Sequence, residues 1–132
     1  MDQDEQKVVQ ELKPLKTVFV KPLGVNRAYS GIRHSTNELK QFKADMMKVL
    51  PRNLSITEGK LAVSFIFGVS NAGEDIDGPI KTALDALSEG YEFNDNRVYD
   101  LHVKKRKTEK GYEFIAFEIK PWNQNTPTEQ EQ

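Results

Sequence analysis

Apolar residues at Leu61, Val63, Phe65 and Phe67 alternate with Ala62, Ser64, Ile66 and Gly68. A period of two predicts a β-strand buried on at least one face. Upstream, the β-branched and aromatic run Thr17-Val18-Phe19-Val20 ends at Lys21-Pro22 and predicts a shorter strand. Leu23–Arg33, with Gly24, Asn26, Ser30 and Gly31, reads as a loop. Leu39, Phe42, Met46 and Val49 then recur at helical spacing, with Ser35 and Glu38 at capping-box distance before them and Pro51 as the stop. A second apolar stripe, Ile80, Ala83, Leu84 and Leu87, predicts a helix from Pro79 to Gly90, with Gly78 or Asp77 as its cap. Val98–Lys107 and Tyr112–Lys120 alternate well enough to predict a β-hairpin turned through Glu109-Lys110-Gly111. The order strand, helix, strand, helix, strand, strand predicts one α+β domain: a mixed β-sheet flanked by helices, with a C-terminal β-hairpin.

Length and composition narrow the class. One core suffices for 132 residues. The expected division is an acidic N-terminal segment 1–12, a folded domain 13–122 and a disordered polar tail 123–132. No apolar run reaches the roughly 20 residues that a bilayer requires, and no basic-then-apolar leader opens the chain, so no membrane partner is expected. The absence of cysteine excludes disulfides, thiolate catalysis and Cys-based zinc sites, and fits a cytoplasmic protein.

The net charge of −1 conceals an uneven distribution. Residues 13–128 hold 18 basic and 14 acidic side chains, a net +4, whereas both ends are acidic. Lys104, Lys105, Arg106, Lys107 and Lys110 fall within seven positions. Such a cluster can hold a duplex, which presents about one negative charge per 1.7 Å, but it equally suits a solvated hairpin tip.

The candidate chemistry lies at Asp75 and Asp77. In an extended segment two carboxylates two residues apart point the same way and repel, unless a cation such as Mg²⁺ compensates them. Lys81, one helical turn on, can reach back over the pair. Asp95, in the Asn94-Asp95-Asn96 loop, joins them only if that loop returns along the helix; the sequence permits this without requiring it. Together these groups suit phosphodiester hydrolysis, in which carboxylate-held metal and a lysine offset developing negative charge. Each feature also has an ordinary explanation. Asp-x-Asp before a helix is often a cap and a surface acid, Lys81 and Asp85 make an i,i+4 pair, and Asp95 is a natural turn residue. Asp100 suits solvent or a supporting contact. His34 and His102 have no partner at ligand spacing. Tyr99, Phe114, Phe117 and Trp122 fit a core better than a base-stacking platform.

Residues 75–105 carry a resemblance that joins these features. Asp75-Ile-Asp77-Gly-Pro-Ile-Lys81-Thr-Ala-Leu-Asp85-Ala-Leu, then Asn94-Asp95-Asn96-Arg97-Val98-Tyr99-Asp100 and a lysine at 104 or 105, resembles the RusA family of Holliday-junction resolvases. Lys21-Pro22-Leu23-Gly24-Val25-Asn26-Arg27 is similar to that family's Pro-rich, Asn-containing segment, though less closely. The resemblance implies a Mg²⁺-dependent crossover junction endodeoxyribonuclease of DNA recombination and repair, often phage-encoded. It would act as a homodimer that nicks a four-way junction symmetrically. Asp75, Asp77 and Asp95 would be the metal ligands, Lys81 the catalytic lysine, and Lys104, Lys105, Arg106 and Lys107 the DNA-binding residues. Two positions depart from the family: Gly78 stands where asparagine is usual, and Glu74 where a basic residue is frequent. They leave room for a branched-DNA binding protein with weak or lost catalysis. A phosphate-handling domain of the haloacid-dehalogenase type is a distant third, because its Asp-x-Asp directly follows a buried strand and here a polar loop intervenes.

Overall fold

The nine-residue strand Leu61–Val69 organises the molecule because eight of its residues are buried and only Ser64 is half-exposed. A strand apolar on both faces belongs in the middle of a sheet, and the computed structural model places it there. The structure describes residues 15–30, 34–71 and 73–123. The acidic segment 1–12, and all of the tail 123–132 but Asn123, lie outside the described residues.

In chain order the elements are β1 (Lys16–Val18), α1 (Val25–Ala28), β2 (Tyr29–Ser30), β3 (His34–Ser35), α2 (Asn37–Val49), β4 (Leu61–Val69), α3 (Ile80–Gly90), a 3₁₀ turn (Asp95–Arg97), β5 (Val98–Lys107) and β6 (Phe114–Pro121). The main sheet runs β1-β6-β4-β5, with β4 parallel to β5 and antiparallel to β6. The expected α+β class with a mixed sheet and helices is therefore what forms.

The expected C-terminal hairpin is not. β5 and β6 flank β4 instead of pairing with each other. Burial explains the difference: β4 can cover both its hydrogen-bonding edges only by lying between two strands. The connection, residues 108–113, must then cross two inter-strand spacings, roughly 10 Å, which six residues span easily. β5 becomes an edge strand, exposed along much of its length.

One sheet face carries Leu61, Val63, Phe65, Phe67 and Val69 against Leu39, Phe42 and Met46 of α2 and Ala83, Ala86 and Leu87 of α3. The other carries a small cluster of Ile66, Phe114 and Ala116, with Leu15 packed against it.

Local details depart from expectation in three places. Thr36, not Ser35, caps α2: its hydroxyl accepts from the Leu39 amide at 3.2 Å. The stretch Leu23–Arg33, expected as a loop, contains the single turn α1 and the strand β2, which pairs with β3 just beyond it. Pro79 precedes α3, which has no side-chain cap.

Candidate metal and nucleic-acid site

At the C-terminal end of β4 the chain leaves the sheet through Ser70 and returns at α3. The intervening segment is turned rather than extended. The Gly78 amide donates to the Asp75 carbonyl at 3.2 Å and the Ile80 amide to the Asp77 carbonyl at 3.3 Å. Strand alternation therefore does not set the directions of the Asp75 and Asp77 side chains. Overlapping turns bring the two residues to the head of α3, where the helix dipole favours negative charge. Both are exposed. Among the described residues neither carboxylate makes a hydrogen bond or ion pair.

The turn is fixed from two sides. On one side the segment 21–27 docks against it: the Val25 amide donates to the Gly78 carbonyl at 2.9 Å, and the buried Thr82 hydroxyl donates to the Leu23 carbonyl at 2.6 Å. A Cβ at Gly78 would meet the Asp75 carbonyl oxygen at 3.4 Å and the Gly24 Cα at 3.6 Å, both ordinary van der Waals contacts. On the other side Lys105 donates its ammonium to the Glu74 carbonyl at 2.8 Å. Lys105 reaches there because β5 runs parallel to β4 with Phe67 opposite Lys105, which places the end of β5 beside the loop leaving β4. A hairpin pairing of β5 with β6 would not have indicated this neighbour.

Glu113 also lies at this end. The Ser70 hydroxyl donates to its carboxylate at 2.8 Å. That bond, supported by backbone amides and the Lys21 charge, holds the Glu113 carboxyl below the usual range.

Lys81 leans away from the aspartates. Its ammonium lies 3.7 Å from the Asp85 carboxylate, an exposed i,i+4 pair worth only about 0.3–0.5 kcal/mol. The reach back over Asp77 is not made, but the pair that competes with it is weak.

Asp95 is elsewhere in the chain's fold. It opens the 3₁₀ turn that leads into Val98, opposite Leu61 at the start of β4. Arg97 anchors this turn by donating to the Gly59 carbonyl at 2.8 Å and to the Thr57 carbonyl. β4 and α3 both run between this end and the Asp75/Asp77 end. Nine strand residues span roughly 26 Å and eleven helical residues roughly 16 Å. The loop after α3 does not return along the helix, and no group of three His or acidic residues able to hold a metal occurs among the described residues. Within one chain, Asp75 and Asp77 share this turn, and Asp95 does not join them. Oxygen donors from one or two carboxylates still suit Mg²⁺, which commonly completes its shell with water and phosphate.

The cations Lys104, Lys105, Arg106 and Lys107 lie along edge strand β5 rather than at a hairpin tip. The register puts Lys105 and Lys107 opposite Phe67 and Val69, and Lys104 and Arg106 opposite Ile66 and Gly68. Both sheet faces are thus cationic at the edge that adjoins the aspartate turn.

No helix among the described residues is long and apolar enough to cross a membrane. Compared with protein-family models and with curated protein sequences, the chain matches none.

Proposed function

We propose that the protein is a Mg²⁺-dependent endodeoxyribonuclease acting on four-way or otherwise branched DNA in recombination or repair, as the RusA-like pattern of residues 75–105 implies. The observation that carries the reading is the exposed, unpaired Asp75/Asp77 turn held beside the cationic edge of β5. Carboxylates that make no hydrogen bond or ion pair among the described residues contribute little to the fold beyond the helix-dipole term of at most about 1 kcal/mol. Their placement next to phosphate-binding charge is what a hydrolytic site needs.

In this reading Asp75 and Asp77 supply hard oxygen ligands. Mg²⁺, when bound, supplies the charge that offsets a phosphodiester's developing negative charge. Lys81 leaves Asp85 at small cost to face the scissile phosphate, while Lys104, Lys105, Arg106 and Lys107 hold the flanking backbone.

Asp95 enters through the second chain of a homodimer. One chain keeps Asp95 on the order of 20 Å from the pair, so a three-carboxylate site requires Asp95 from a second copy. Two-fold pairing would build two such sites, matched to two opposed strands of a junction.

A second reading, a branched-DNA binding protein with weak or lost catalysis, draws on the Lys81–Asp85 pair together with Gly78 and Glu74. Incubation with a synthetic four-way junction and a matched linear duplex, with and without Mg²⁺, separates the two. Paired nicks in the junction alone, absent in Asp75→Asn and Asp77→Asn proteins that still bind it, support the nuclease. Binding without cutting by the unaltered protein supports the second reading.

A further inference from the structure

The far end of the sheet, where β4 and β5 begin and β6 ends, carries two aromatic residues outside both core clusters, Tyr99 and Trp122. Tyr99 is 57% exposed. Its ring stacks on that of Trp122 with centroids 5.4 Å apart and planes 23° from parallel. The Lys60 ammonium lies 4.7 Å from the Tyr99 centroid and 5.7 Å from that of Trp122. The Trp122 amide donates to the Lys60 carbonyl at 2.9 Å, tying the end of β6 to this cation.

The sheet is irregular beside these rings. Leu61 pairs with Val98 and Ala62 with Asp100, so Tyr99 is an extra residue on β5. Bulges of this kind re-aim a side chain at the expense of a ladder position. Arg97 pins Thr57 and Gly59 through its guanidinium, fixing the loop that presents Lys60. Gly59, Lys60, Asn96, Arg97 and Tyr99 line a shallow, open hollow of about 410 Å³.

We propose that Tyr99 and Trp122 form a stacking platform for an unpaired nucleobase of branched DNA, with Lys60 facing its phosphate. The inference rests on the reading of the protein as a branched-DNA binder and adds to it the element that senses unpaired bases. The chemistry is complementary at each point. An exposed aromatic face accepts any base, and cations beside it meet the strand's charge. The Asn96 side chain is exposed at the rim and offers both a donor and an acceptor to a base edge. Asp95 adjoins Asn96, so a base held here lies next to the carboxylate that the dimer would bring to the scissile phosphate.

Trp122 is the chain's single tryptophan, so its fluorescence reports on this site alone. The full chain, in buffer with EDTA so that no strand is cut, is titrated with a short oligothymidylate and with a blunt duplex of equal length. The single strand should quench the emission saturably and the duplex much less. Tyr99→Ala should raise the single-strand Kd about tenfold, while Tyr99→Phe, which keeps the ring, stays near the parent value. Equal quenching by duplex, no quenching, or unchanged affinity in Tyr99→Ala would overturn the platform. A protein that shows the predicted quenching yet never nicks a junction loses the nuclease reading and keeps the platform. Nicking without quenching does the reverse.

Discussion

Replacing Gly68 by alanine sets two effects of opposite sign against each other. Alanine in place of glycine in a strand interior ordinarily stabilises by about 0.5–1 kcal/mol, because glycine loses more backbone freedom on folding. At Gly68 the added methyl would stand 2.3 Å from both Cδ1 and Cε1 of Phe114 and 2.9 Å from its Cγ. Carbon atoms rest at about 3.5–4.0 Å, so the overlap exceeds an ångström. Cγ is close to the root of the side chain, and spinning the ring does not clear it. Either the ring leaves its rotamer or β6 shifts at the Gly68–Phe114 register. Overpacking of this kind costs about 1–3 kcal/mol. Expelling the ring, now 7% exposed beside Ile66 and Ala116, forfeits about 1.5–3 kcal/mol of burial. The net expectation is destabilisation by about 1–2 kcal/mol, a drop of roughly 1 M in the urea midpoint at unchanged slope. Gly68→Ala combined with Phe114→Leu should recover most of that loss relative to Phe114→Leu alone. A single variant more stable than the parent, or a double variant whose losses simply add, would refute the reasoning.

Three further outcomes follow from the contacts described. Thr36→Ala removes the hydroxyl that caps α2 and should lower stability by about 1 kcal/mol in urea unfolding. Tyr91 donates its hydroxyl to the Pro51 carbonyl at 2.8 Å, and burial raises its pKa. The contribution of its protonated form is complete below tyrosine's ordinary ionisation range and is lost as pH rises through the raised folded value. Parent stability should accordingly fall more steeply at alkaline pH than that of Tyr91→Phe, which loses about 0.5–1.5 kcal/mol at neutral pH. Changing Lys104, Lys105 and Arg106 together to glutamine should weaken junction binding and flatten its dependence on salt by up to about three phosphate contacts, whereas an unchanged slope would place the DNA elsewhere.

The sequence discloses the elements of this fold better than their pairing. The alternation of Leu61–Val69 and the stripes of α2 and α3 are local periodicities, and local geometry satisfied them. The pairing of β5 was decided by long-range burial: β4 needed two neighbours, and no pattern within Val98–Pro121 records that. The same non-local choice placed Lys105 beside Glu74 and took Asp95 to the opposite end of the sheet. Asp75 and Asp77 were legible as neighbours in one short segment, although that segment forms turns rather than a strand. The aromatic platform was the least legible. Tyr99 and Trp122 come from β5 and from the end of β6, which lie on opposite sides of β4, so no local pattern records that their rings meet.

The central claim, a hydrolytic site divided between two copies of the chain, is tested most directly by mixing two inactive proteins. Asp77→Asn and Asp95→Asn chains, unfolded together and refolded at equal concentration, would form mixed dimers in half of the population of a two-fold dimer. Each mixed dimer would have one site with all three carboxylates and one with neither Asp77 nor Asp95. Junction nicking in Mg²⁺ should then return to about a quarter of the parent rate, by this statistical count for a two-fold dimer. A mixture as silent as either variant alone, beside an active parent, would contradict the divided site.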